Sequence, residues 1–500
     1  MLTLSLKTYS LLADITSPIA LFHKLSPTEP TAFLLESSDG DTRLARFSFI
    51  GIDPVETFAY HQGEATITRP GEAPVSRALG NPLTYLRERI APYREAVTAL
   101  SGETPIPFLG GWVGYMGYGA TSIFDQIPRQ TVNPFASGGD DGIPDACYGL
   151  YDSLICFDHL ERRVTLISLR TQAEADRLWQ RLQDVLDHGP SLPRLNVPTG
   201  KPELESVFAQ TTGPVSKENY CAMVGTAKDW IREGQVFQIV VAHRFETDLR
   251  SDGITVYRMM QAINPSPYAY FLKFPGFDYI GSSPETFVSC FQQKATLRAL
   301  AGTRPRGRNP EEDSALANEL RANEKELAEH HMLVDLGRND MGRMCDVGSI
   351  RLGEIGEITR YAHVMHLATE ITGTLRADKT CFDVFQSCFP RGTVSGAPKI
   401  RAMTLLSQLE PEQRGIYSGV VGYFDFTGNM DAAIAIRSAL LKDGKAHVNA
   451  GAGVVYDSDP VMEYEETRNK ALSILTAIHL ANQAGQQSVS NPAAVSGAPR

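Results

Sequence analysis

Apolar residues recur along this chain in two rhythms. Runs rich in β-branched and aromatic residues at 237–245, 268–274, 417–425, 432–441 and 448–455 predict strands buried in sheets. A slower rhythm, with Leu316, Leu320, Leu327 and Val334 near helical spacing, predicts one long helix over 311–336. Leu472, Leu475 and Ile478 likewise predict a closing helix over 463–484. Before residue 185 the pattern is one of short strands and turns with some helix; 46–50, 108–118 and 163–169 are examples. Helices do not alternate with single strands, which disfavours a doubly wound sheet. The reading is an α+β fold with large antiparallel sheets. The glycines of GGWVGYMGYG, 110–119, fit neither GxGxxG nor GxxxxGK[ST], so they predict close strand packing rather than a phosphate loop.

Prolines at 190, 193, 198, 202 and 214 break the pattern and predict a connection. It joins an N-terminal region, 1–190, to a C-terminal one, 200–485. The small and polar residues 486–500 predict a disordered tail.

Composition narrows the function classes. Lys and Arg number 47 against 58 Asp and Glu, a formal charge of −11. That balance argues against non-specific binding to nucleic acid or an anionic membrane. An anionic substrate would need a local cationic pocket. The 7 cysteines include no CxxC pair, which suits a reducing, cytoplasmic setting better than a disulfide framework. Lys7 and Asp14 interrupt any signal-like apolar run, and no stretch of about 18 apolar residues predicts a membrane span.

Several constellations could carry chemistry. Glu326 and Glu329 stand i,i+3, and so do Glu463 and Glu466, with Lys470 one turn further. Paired carboxylates repel unless solvated or bridged by a cation, and Mg²⁺ takes such oxygens. ExxE alone describes a solvated helix surface more often than a site. His363 and His366 lack an HExxH context, and by spacing alone are ordinary core or surface histidines. A histidine in an apolar stretch also suits acid–base work. The turns AGTRPRG (301–307), PRGTVSGAPK (390–399) and NAGAGVV (449–455) could present backbone N–H groups to an oxyanion. Arg304, Arg391, Lys399, Arg437 and Lys470 could complement carboxylates there.

The motifs GSSPE (281–285), AGTRPRG, DLGRND (335–340), HVMH (363–366), PRGTVSGAPK, GIYSG (415–419), AIRS (435–438), AGAG and EYEETRNK (463–470) occur in that order. Together they resemble the chorismate-utilising enzymes, most closely the anthranilate-forming members, over about 216–480. LLES (34–37) and NPSPY (264–268) extend the likeness to the regulatory part of those enzymes, with Ala269 where relatives often carry Met. The resemblance implies a sandwich of large antiparallel sheets with helices outside. It implies Mg²⁺ held by Glu326, Glu329, Glu463 and Glu466. Substrate contacts would come from Gly302, Thr303, Thr393, Tyr417, Arg437, Gly451, Ala452, Gly453 and Lys470. Glu285 would be the general acid, and His366 would serve a second, pyruvate-releasing step.

The implied reaction turns chorismate and ammonia into anthranilate and pyruvate through aminodeoxyisochorismate, the first committed step towards tryptophan. Ala301 stands where aminodeoxychorismate synthases usually carry an adduct-forming Lys, and a methyl group cannot attack the ring. Gln238 replaces the Lys that activates water in isochorismate and salicylate synthases, and could orient ammonia instead. A non-catalytic chorismate- or tryptophan-binding regulator would have no need of Glu285. The resemblance further implies a separate glutaminase subunit as ammonia source. It also implies feedback by L-tryptophan at Glu36, Ser37, Pro267, Tyr268 and Ala269.

Overall fold

Strand pairing joins segments from Lys7 to Val454. The computed structural model describes residues 4–37, 46–136, 142–196, 203–361 and 364–490. Within them are two antiparallel sheets, one of 11 strands and one of 12. The first runs from Lys7–Leu12 at one edge, through Ala32–Glu36 and Tyr268–Phe274, to Lys445–Val454, Gln238–Asp248 and Gly396–Ala397. The second includes Lys294–Pro305, Thr286–Phe291, Met430–Ile434, Val420–Asp425 and Gly111–Met116. Each sheet thus takes strands from both sides of the proline-rich connection.

The sheets face each other across one large apolar cluster, in which Phe33, Tyr270 and Tyr279 of the first meet Phe58, Trp112 and Tyr115 of the second. A second cluster lies between the first sheet and helices Pro18–Leu25, Gly253–Ile263 and Pro460–Ser490. This is the expected sandwich with helices outside. The glycine run pairs as expected too. Gly111–Met116 lies between Val420–Asp425 and Ala146–Tyr151, and a Cβ at Gly114 would sit 2.0 Å from the Cys147 carbonyl oxygen.

Two expected elements are each broken in two. The helix over 311–336 is Pro310–Ala322 followed by Glu324–Gly342. Asn323 stands between them with extended backbone, φ −77° and ψ 106°, and its side chain accepts from the Glu326 N–H. Asn competes with helix for its own backbone and is a strong N-cap, which apolar periodicity does not register. The strand over 432–441 is Met430–Ile434 in the second sheet and Ser438–Lys442 in the first. Arg437, at φ +51°, turns the chain between them. The closing helix runs on to Ser490, so 486–490 of the expected tail is helical, while 491–500 and His363 lie outside the described residues.

Candidate active site

The site forms where the chain crosses between sheets. Glu285 follows Phe277–Ser283 of the first sheet and precedes Thr286–Phe291 of the second. Arg437 makes the opposite crossing. The crossings lie side by side: the Ile434 N–H donates to the Glu285 carbonyl at 3.1 Å, and the Ser282 N–H to the Arg437 carbonyl at 3.0 Å. The backbones that carry a carboxyl and a guanidinium are thereby fixed in the seam. The Glu285 side chain accepts from Thr393 Oγ1 at 2.8 Å and is only 9% exposed. Burial pushes its pKa above the usual carboxylate value, opposed by Arg391, Thr393, Lys470 and Arg437. Such a group can hold a proton for delivery.

A bulge builds the next part. Lys294–Pro305 pairs with Val364–Thr374, but the register shifts between Ala301 and Arg304. Gly302 sits there at φ +61°, where a Cβ would come within 3.0 Å of Glu326 Oε2. Its carbonyl lies 2.7 Å from His366 Nδ1, with Thr303 Oγ1 at 3.2 Å. A carbonyl only accepts, so Nδ1 carries the hydrogen and Nε2 keeps its lone pair. Burial lowers the His366 pKa, and the ring stays neutral near pH 7.

The four glutamates divide between two helices. Glu326, in the first turn of its helix, pairs with Arg304 at 3.1 Å. Glu329 accepts from Gln238 Nε2 at 3.1 Å. Glu466 meets Lys470 at 2.5 Å, and Glu463 Oε2 is buried without a hydrogen-bond partner. Burial raises the pKa of Glu329, with Glu326 and Glu466 adding to it; burial and Glu466 do the same for Glu463. Among the described residues no three His, Cys, Asp or Glu groups converge on a metal position. In this arrangement Glu326 and Glu466 are instead engaged by Arg304 and Lys470.

Backbone from the first sheet lies alongside these groups. Gly451, Ala452 and Gly453 pair with Ala242, Val241 and Val240. Lys470 Nζ donates to the Gly451 carbonyl at 3.0 Å. A Cβ at Gly451 would lie 3.2 Å from the Tyr417 hydroxyl, and one at Gly453 2.8 Å from Gln238 Nε2. The charge of Lys470 acts on Glu285, Glu329 and Glu463 alike.

The proposed regulatory residues also meet. Glu36 pairs across strands with Ala269. Glu36, Ser37, Pro267, Tyr268 and Ala269 line one cavity, which Tyr423 and Asp431 also reach. Glu36 accepts from the Tyr257 hydroxyl at 2.7 Å, and burial raises its pKa. Ser37 Oγ is buried without a partner.

Sequence reasoning missed Asp431. Its Oδ1 lies 3.2 Å from the Tyr268 hydroxyl, which also lies 3.1 Å from Thr286 Oγ1, and burial pushes its pKa up to about 7. A lone carboxylate inside the apolar run MDAAI was the available signal.

Residues 30–476 match the family model described as chorismate binding enzyme. The chain is 38% identical to anthranilate synthase component 1 of Acetivibrio thermocellus, covering 95% of each chain. It is 40% identical to that of Mycobacterium tuberculosis (strain ATCC 25618 / H37Rv), covering 94% of this chain and 92% of the relative. The crystal structure of anthranilate synthase component I from Streptococcus pneumoniae TIGR4 superposes with a TM-score of 0.73 at 34% identity, covering 93% of this chain and 99% of that one. MenF, the menaquinone-specific isochorismate synthase from Escherichia coli, shares the fold at a TM-score of 0.69 and 18% identity, with 95% of both chains covered. The chain belongs to the chorismate binding enzyme family, in its anthranilate synthase component 1 branch.

Proposed function

We propose that this chain converts chorismate and ammonia to anthranilate and pyruvate, feeding tryptophan biosynthesis. The observation that supports it most directly is Glu285: a buried carboxyl that accepts from Thr393 in the seam beside Arg437, its proton affinity raised by burial. In the first step Glu285 gives its proton to the departing ring hydroxyl, which leaves as water. Ammonia forms the new C–N bond, oriented by the Gln238 side chain, whose Oε1 is buried without a partner. In the second step the pyruvyl C–O bond breaks as a ring proton is lost. His366 Nε2 is the base available for that proton, because Nδ1 is committed to Gly302. Arg437, Tyr417, Lys470, Gly302, Thr303, Thr393 and the 451–453 backbone grip the anionic substrate.

The donor set fits Mg²⁺. Glu326, Glu329, Glu463 and Glu466 offer hard carboxylate oxygens; burial, with repulsion from neighbouring glutamates added to it, raises the proton affinity of Glu329 and Glu463, and Glu463 Oε2 has no partner. When bound, Mg²⁺ would neutralise these groups and hold a substrate carboxylate. Glu326 and Glu466 would first turn from Arg304 and Lys470.

Ammonia comes from a separate glutaminase subunit, in keeping with the component 1 naming of the relatives. The cavity beside Glu36 and Ser37 takes L-tryptophan, its amino group facing Glu36 and its indole against Pro267, Tyr268 and Ala269. The cytoplasm suits a chain whose cysteines are unpaired.

The test is anthranilate fluorescence with purified chain, chorismate, Mg²⁺ and an ammonium salt. Turnover is expected with ammonium and not with glutamine alone. Absence of anthranilate under these conditions would overturn the proposal, and glutamine-dependent turnover would overturn the partner assignment.

A further inference from the structure

Arg391 is an unspent cation. It lies in the PRGTVSGAPK turn, is 3% exposed, and its Nε is enclosed without a hydrogen-bond partner. Among the described residues no carboxylate closes an ion pair on it. Its backbone is fixed: the Arg391 carbonyl accepts from Ser395 Oγ at 2.9 Å and from the Val394 N–H at 3.2 Å. A buried, uncompensated charge is costly, so its retention here asks for a counter-charge. Asp340 is near, but Lys399 already holds it at 2.7 Å. The other carboxyl within its field is Glu285, which the same turn holds through Thr393. Thr393, two residues on, donates to that same carboxyl at 2.8 Å. One short turn thus supplies both a hydrogen bond and a positive charge to Glu285.

We propose that Arg391 is a positioning residue for proton transfer, balancing the negative charge left on Glu285 once its proton has gone to the departing hydroxyl. This rests on Glu285 being the acid. The proton leaves in water, the carboxylate remains in the buried seam within the field of Arg391, and solvent later restores the proton. Glu285 faces the charges of Arg391, Lys470 and Arg437. Arg391 in turn neighbours Asp340 and the Cys388 thiol, which Lys399 and Arg343 also face.

The experiment is kcat against pH at saturating chorismate, Mg²⁺ and ammonium for wild type, Arg391→Met, Arg391→Lys and Glu285→Gln. Without Arg391 the acid keeps its proton to higher pH but gives it up less readily. In Arg391→Met the alkaline limb should therefore move up by roughly half a pH unit or more, and the plateau should fall about tenfold. Arg391→Lys should restore both in part. If Arg391→Met does not fold, Arg391→Gln takes its place, with the same expected shift. An unmoved limb with lower turnover, or a rise in KM alone, overturns the inference in favour of a structural or substrate-binding role. Glu285→Gln separates the two readings: if it keeps wild-type turnover, the acid assignment fails. If it is inactive while the Arg391 variants keep the wild-type limb, only the role of Arg391 fails.

Discussion

At the scale of single residues, the site depends on burial changing what ordinary side chains do. Burial in the seam raises the proton affinity of Glu285 above that of a carboxyl in water, because desolvation outweighs three nearby cations and one hydrogen bond. Glu285→Gln should therefore cut turnover by about 100-fold or more, the usual scale for a general acid, while chorismate still binds. Stopped-flow turnover with a parallel binding titration checks both halves. His366→Met should slow the elimination more than the amination, so aminodeoxyisochorismate should accumulate and be seen by chromatography. Equal loss of both steps without that intermediate would reassign His366 to binding or folding. Asp431 gives a stability prediction. Its folded pKa, about 7, lies above the unfolded carboxylate value, so between about pH 4 and 7 the folded state holds the extra proton. Its contribution is thus fully present below about pH 4 and is lost progressively as pH rises to about 7. Thermal melts at pH 5 and pH 8 should show Asp431→Asn losing less stability over that interval than wild type.

At the scale of elements, two interruptions do the positioning. Asn323 ends one helix and caps the next, which sets Glu326 in the first turn with its N–H satisfied. Asn323→Ala should cost about 1 kcal/mol of stability and fray that turn. Because Glu326 would then be held less firmly, half-maximal activity should need more Mg²⁺. A metal titration alongside a melt checks this; a lower Tm with an unchanged Mg²⁺ requirement would detach Glu326 from the metal. The bulge at Gly302 is the second interruption. It turns a ladder carbonyl towards His366 and so chooses the tautomer of the ring.

At the scale of the whole molecule, the two sheets bring the proposed effector cavity and the catalytic seam within reach of each other. The cavity beside Glu36 and the seam at Glu285 share a wall: Tyr268 lines the first, and its hydroxyl lies 3.1 Å from Thr286, the neighbour of Glu285. Feedback requires that tryptophan bind one state better than another, and chorismate must then weaken tryptophan by the same factor. Ser37→Phe should fill the cavity and raise the inhibitory tryptophan concentration at least about tenfold, or about 1.4 kcal/mol. Tryptophan titration of both proteins at fixed chorismate measures this as the ratio of inhibited to uninhibited rate. A wild type indifferent to millimolar tryptophan, or a variant equally sensitive, would place the effector elsewhere.

By itself the sequence determined the α+β class, the buried strands at 268–274 and near 237–245, the strand-packing role of the 110–119 glycines and the family. These follow from local periodicity, close backbone approach and ordered motifs, all of which are written linearly. Only the tertiary structure decided where an apolar run changes sheet, because the run at 430–442 remains buried on both sides of Arg437 and its periodicity carries no mark of the crossing. Tertiary structure likewise joined LLES to NPSPY, since antiparallel pairing of Glu36 with Ala269 is a contact between segments far apart in the chain. It also decided the direction in which the proton affinities of Glu285, His366 and Asp431 shift. Burial and the charges facing a group fix its proton affinity, and those neighbours are assembled from strands, turns and helices that the sequence holds far apart.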